Sequence, residues 1–122
     1  MVDVLHGNQR ATDVLLQLAH GGLAISIITY GELNEGAYYA RDQQALAGLQ
    51  SFVASMELLP LSIPVIEHFG RLRGSLPRRH RQQVGDMDLL IAATALEHHL
   101  SLLTNNRRDF TLVPGLRLLQ YP

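Results

Sequence analysis

Cysteine, tryptophan and lysine are all absent from this 122-residue sequence. Without cysteine there is neither a disulfide framework nor a thiolate metal site, a pattern compatible with a reducing compartment. No apolar run approaches the length of a membrane span. The opening residues, MVDVLHGNQR, lack the basic-then-apolar order of a secretory leader, so a cytoplasmic location is expected. No nucleophile elbow, phosphate-cradling glycine loop or HExxH helix is present, which argues against hydrolase triads, nucleotide-binding enzymes and zincin-type proteases. A net charge of −1 provides no global field that would draw in nucleic acid, so any such binding must use a local patch.

A chain of this length is expected to form one domain, 1–122, and can bury roughly two-thirds of its unfolded surface without covalent staples. Ala11, Val14, Leu15, Leu18 and Ala19 recur at helix spacing, and Gly21-Gly22 ends the run. LAISII (Leu23 to Ile28) reads as a strand that is apolar on both faces. TYGELNEGAYYA is helical in propensity, and Ala45, Leu46, Leu49, Phe52 and Val53 mark another amphipathic helix. ELLPL reads as a short strand ended near Pro60. Val65, Ile66, Phe69, Leu72 and Leu76 make a further helix, stopped by Pro77. RRHRQQVG reads as a polar loop. A helix over Asp86 to His99, a strand LSLLT, a turn NNRRDF and a last strand LRLLQ complete the chain. Strands alternating with helices, without hairpin signals, predict an α/β fold with a parallel sheet covered on both faces. In such folds the site lies beyond the carboxyl ends of the strands.

Three polar clusters fall there. In TYGE, Thr29 can cap a helix with Glu32 three residues on, a capping box; Glu32 is open to reading as a capping partner or as a functional acid. Asp86 and Asp88 precede an alanine-rich apolar segment. Inside a helix they would diverge by about 200°, so the spacing assigns Asp86 the cap and Asp88 the first turn, on a face with Ile91, Ala92 and Ala95. There the helix dipole favours an ionised carboxylate, which a hard cation needs; two acids that simply favour a helix start are the equal alternative. In TNNRRDF, Asn106 and Asp109 can each supply an oxygen, although the composition is that of a turn.

Other groups are less specific. His98 and His99 are adjacent, so on a helix they diverge; a solvated helix end suits them. All ten basic residues are arginine, a residue suited to phosphate, although a GC-rich genome also favours its codons. Arg78, Arg79 and Arg81, with Arg71 and Arg73, form the one local basic cluster, open to phosphate contact or to plain solvation. Tyr30, Tyr38 and Tyr39 can stack on bases or pack half-buried.

Taken together, these segments resemble the PIN-domain ribonucleases, in particular the toxin half of VapBC-type toxin–antitoxin pairs. ISIITYGELNEG resembles the segment carrying the family's second acid, matched by Glu32. GDMDLLIAATAL resembles the segment with the D-x-x-I-A-A pattern, matched by Asp88. LLTNNRRDF resembles the fourth motif, matched by Asn106 and Asp109. The resemblance covers nearly the whole chain in the right order. It implies a three-layer α/β/α fold and a Mg²⁺ or Mn²⁺ ion held by Glu32 and Asp88, with Asn106 and Asp109 completing the catalytic set. Asp3, Thr29 and Asp86 would support them from behind, and Arg78, Arg79, Arg81 and Arg107 are candidate RNA contacts. It further implies endonucleolytic cleavage of RNA, homodimerisation and a cognate antitoxin as partner. In one respect the sequence departs from the family. Its members begin with a central strand ending in D-T-x-x-L-x-D, whereas MVDVLHGN resembles only the tail of that segment, with Asp3 at the second acid. The expectation is therefore a sheet lacking its first, central strand and first ligand. The alternative activity is a PIN-like module that binds antitoxin, RNA or itself without cleaving.

Overall fold

The structure is a computed structural model that describes residues 24–104 and 106–119. The expected N-terminal helix, Asp3 and the question of a first strand lie outside these residues. The described chain falls into two compact units, divided in sequence between Leu59 and Pro60.

The first unit runs β1 (Ala24–Ser26), α1 (Ile27–Tyr39), α2 (Gln43–Ala54) and β2 (Glu57–Leu59). The strands pair in parallel, Ala24 opposite Glu57, Ile25 opposite Leu58 and Ser26 opposite Leu59. Ile25, Leu33 and Leu49 form its buried cluster, with Tyr30, Val53 and Met56 packed against it. β1 is shorter than the apolar run suggested because Ser26 turns the chain. Its backbone stays extended while its Oγ accepts the Thr29 N–H at 2.9 Å, a standard N-cap. The helix thus starts at Ile27, and Thr29 does not cap it. Thr29 lies inside the first turn, where its Oγ1 accepts from the Ser26 hydroxyl at 3.0 Å. Asp42 caps α2 in the same way, accepting from Ala45 N at 3.0 Å.

The second unit runs α3 (Ile63–Ser75), α4 (Arg78–Gln83), α5 (Asp86–Glu97), β3 (Leu102–Leu103), α6 (Arg107–Phe110) and β4 (Leu118–Leu119). β3 and β4 pair in parallel, Leu102 opposite Leu118 and Leu103 opposite Leu119. α5 is its buried centre: Leu89, Ile91, Ala92, Ala93, Thr94 and Ala95 are all inaccessible. A helix apolar on every side belongs in an interior, and three alanines let neighbours approach closely. Thr94 satisfies its hydroxyl on the Leu90 carbonyl at 2.8 Å. α3 lies along α5 and is tied to it twice, by His68 Nδ1 to Glu97 Oε2 at 3.2 Å and by Arg73 Nη2 to Asp86 Oδ1 at 2.7 Å. The order of these pairs makes the two helices antiparallel.

Two segments differ from the sequence expectation. RRHRQQ is a short helix, α4, rather than a loop: Pro77 precedes it in extended conformation, and arginine and glutamine are good helix formers. NNRRDF contains the single helical turn α6, capped by Asn106. α5 ends at Glu97, two residues earlier than expected, because His99 takes a left-handed backbone, φ 55°; His98 and His99 are exposed there. No described helix is long and apolar enough to cross a membrane.

Leu89 is fully buried on α5. Leu89→Ala is expected to lower unfolding stability by about 2–5 kcal/mol through lost transfer energy and a residual cavity, read as a lower urea midpoint at unchanged slope.

Candidate functional site

The site grows from three chain ends that meet in the second unit. α5 begins with no side-chain cap: Gly85 precedes it, extended at φ −69° and ψ 162°. Asp86 is therefore its first residue, not its cap. Its carboxylate turns away to Arg73 and is 76% exposed. Asp88, two residues later, points elsewhere, as the helical rotation requires, and is half-buried. β3 then delivers Thr104 and Asn106. Thr104 is buried, and its Oγ1 accepts the Asn106 backbone N–H at 3.0 Å, which fixes the start of α6.

Asn106 is the hub. Its Nδ2 donates to Asp88 Oδ2 at 3.2 Å and to Asp109 Oδ2 at 3.1 Å, while its Oδ1 accepts the Asp109 backbone N–H at 3.4 Å. One carboxamide thus caps α6 and bridges two carboxylates from distant parts of the sequence. Gln83, the last residue of α4, completes the group by donating from Nε2 to Asp109 Oδ1 at 2.9 Å. The sequence reading did not single out Gln83. Its partner lies 26 residues away, and no local spacing signals such a contact.

The two carboxylates have opposite electrostatic environments. Burial pushes the Asp88 carboxyl above the ordinary range, and the negative charge of Asp109 pushes it the same way; the Asn106 hydrogen bond opposes them. Asp109 is held below its ordinary value by the hydrogen bond from Gln83 and then that from Asn106. Neighbouring carboxyls shifted in opposite directions, one by burial and one by hydrogen bonds, are a recurring signature of functional acids.

Among the described residues no three histidine, aspartate or glutamate side chains converge as a metal cluster. Two carboxylates, Asp88 and Asp109, converge on the Asn106 amide, and carboxylate oxygens are hard ligands of the kind Mg²⁺ or Mn²⁺ takes. The like-charge and desolvation burden on Asp88, only partly offset by Asn106, fits a site completed by a cation. The Asn106 NH₂ group, with its partial positive charge, is what joins the two carboxylates here.

Glu32 belongs to the first unit, in the second turn of α1. Because the cap is Ser26, the capping-box role open to Glu32 falls away. Its side chain is half-buried, with Oε1 shielded from solvent. Arg78, Arg79 and Arg81 are exposed on α4. Arg107 is exposed on α6 and reaches the Leu119 carbonyl at 3.4 Å. Arg73 departs from the basic cluster in which the sequence placed it. Its guanidinium is turned onto the Arg81 and Val84 carbonyls and Asp86.

The PIN domain family matches residues 1–116. The tRNA(fMet)-specific endonuclease VapC of Shigella flexneri is 36% identical over 101 residues, covering 82% of this chain and 76% of that protein. Ribonuclease VapC19 of Mycobacterium tuberculosis is 34% identical over 121 residues, covering 95% and 90%. The crystal structure of DNA-bound VapBC from Salmonella typhimurium superposes with a TM-score of 0.82 at 28% identity, covering 97% of this chain and 89% of that one.

The Asp88 environment sets a pH signature. A carboxyl whose folded-state pKa is raised costs nothing where both folded and unfolded forms are protonated. It costs stability as pH rises past the ordinary value of about 4. Without divalent cation, Asp88→Asn is therefore expected to melt above the unsubstituted protein at pH 7, with the difference closing as the pH falls below about 4. Asp109 has the opposite sign, but its exposure leaves little to lose on acidification. Melting curves across pH check this.

Proposed function

The chain belongs to the PIN-domain family and is VapC-like in sequence and α/β fold, and from that premise we propose that it is a divalent-cation-dependent endoribonuclease of the toxin–antitoxin type. The observation that carries this reading is the pairing of Asp88 and Asp109 through Asn106 at the start of a buried helix. Asp88 and Asp109 would hold Mg²⁺ or Mn²⁺, with Asn106 orienting them and Glu32 as a further carboxylate ligand by family resemblance. When bound, such an ion supplies an activated water for attack on a phosphodiester and offsets charge on the phosphoryl oxygens. The chain's own contribution is orientation. Thr104 fixes the Asn106 backbone, Asn106 sets the carboxylates against one another, and Gln83 fixes the rotamer of Asp109.

The names of the relatives point to RNA as substrate, and α4 supplies a surface for it. Arg79 and Gln83 stand four residues apart, on one helix face, so the guanidinium of Arg79 lies on the same side as the group that touches Asp109. Arg78 and Arg81 share the neighbouring face. An exposed cationic helix ending at the acids suits a phosphate backbone passing over the site, with Arg107 as a contact on the α6 side. The VapBC neighbour supports an antitoxin protein as partner. By family resemblance the protein acts in the cytoplasm as a homodimer.

With single-stranded RNA and Mg²⁺ or Mn²⁺, cleavage is expected. It should stop on adding EDTA and fall at least about a hundredfold in Asp88→Asn, since several kcal/mol of charge stabilisation depend on the ion. Metal-independent cleavage, or an active Asp88→Asn protein, would overturn the reading. Retained Mn²⁺ binding without cleavage would favour the non-cleaving module.

Arg79→Ser is expected to weaken RNA binding and flatten the plot of log affinity against log salt by about 0.7, the contribution of one phosphate contact on a single strand. Filter binding at several salt concentrations measures it.

A further inference from the structure

We propose that Arg73 is a positioning residue for the acid site, acting through the corner between α4 and α5. Four contacts carry the inference. Arg73 Nη1 donates to the carbonyls of Arg81, at 2.9 Å, and Val84, at 3.0 Å. Nη2 reaches Asp86 Oδ1 at 2.7 Å. The guanidinium carbon also stands 5.9 Å from the centroid of the Phe69 ring, one turn earlier on α3, within reach of a cation–π contact. Only 24% of the side chain is exposed.

The corner is seated by the buried Val84, but its polar ends need partners. α4 is six residues long, too short to persist on its own propensity. Its last carbonyls lack helical partners, as at any helix end, and α5 starts without a side-chain cap. A single planar fork answers the first deficit and anchors the second helix by its leading carboxylate. It donates to the trailing carbonyls of one helix and to the first carboxylate of the next, with geometry that an ammonium cannot reproduce.

Both arms of the acid site leave this corner. Gln83 lies between the two carbonyls that Arg73 binds and reaches Asp109. Asp88 lies two residues beyond the carboxylate that Arg73 binds and reaches Asn106. Arg73 therefore sets the distance between the α4 and α5 contributions without touching either acid of the pair. Both of its terminal nitrogens are engaged by these partners, which sets it apart from the exposed Arg78, Arg79 and Arg81. The catalytic consequence rests on the nuclease reading; the geometric claim does not.

The test uses the full chain with ¹⁵N labelling. Arg73→Lys, folded by circular dichroism, is expected to shift the side-chain amide resonances of Gln83 and Asn106. It should lower Mn²⁺ affinity and kcat by about 10- to 100-fold, the usual cost of losing an outer support, while leaving KM for RNA unchanged. A folded Arg73→Lys protein with both resonances, Mn²⁺ affinity and kcat as in the parent would overturn the proposal. If Arg73→Lys does not fold, Asp86→Asn decides alone, since it removes one exposed anchor and keeps the two carbonyl contacts: a displaced Gln83 resonance supports the proposal and an unmoved one overturns it. Full cleavage by Asp88→Asn would sink the nuclease reading and leave the resonances to judge Arg73.

Discussion

The acid site of the second unit is organised around a single carboxamide. Two carboxylates on separate elements repel one another, and one of them is partly removed from water. Such a pair stays together only if something of positive character stands between them. In this chain the Asn106 NH₂ group does so, donating to both, while the oxygen of the same side chain caps α6. The local chain geometry and the electrostatics are thus met by the same few atoms. Each surrounding element can be read as a support for them: β3 and Thr104 place Asn106, α5 carries Asp88, and α4 sends Gln83 to steady Asp109.

That arrangement separates what was legible in the sequence from what was not. Asp88 could be placed in the first turn of α5 because a Gly-Asp start, a small-residue stripe and the helical rotation between Asp86 and Asp88 all agree. The role of Asp86 was misread because the cap position was assigned one residue late: Gly85, with its extended backbone, precedes the helix, and a competing arginine 13 residues earlier takes the carboxylate. The start of α1 was displaced by overlapping signals. Ser-x-x-Thr and Thr-x-x-Glu lie three residues apart, and the earlier register wins because it lets Ile27 and Ile28 join the helix while Ser26 still closes β1. Alternation of strand and helix gave the α/β class, and the parallel pairs β1–β2 and β3–β4 agree with it.

The contacts of Gln83 and Arg73 could not be read in this way. Each spans elements, and neither residue type announces a tertiary partner. Arg73 shows the difficulty most clearly. By composition it belongs with Arg71, Arg78, Arg79 and Arg81, yet the return of the chain through Pro77 and α4 brings backbone carbonyls within its reach. A charge cluster in one dimension is divided in three, leaving one member as an internal brace and the others facing solvent.

The two acids ride on very different mounts. Asp88 is fixed to a twelve-residue helix whose middle is inaccessible on all sides; Asp109 sits on a four-residue turn with exposed arginines before it. The turn is nonetheless anchored, because Phe110, which follows Asp109, is fully buried. Each acid is thus seated beside a buried apolar side chain, Asp88 next to Leu89 and Asp109 next to Phe110. A cavity made at either neighbour would displace one acid without touching its oxygens, so packing in the interior and geometry at the surface are set by adjacent residues.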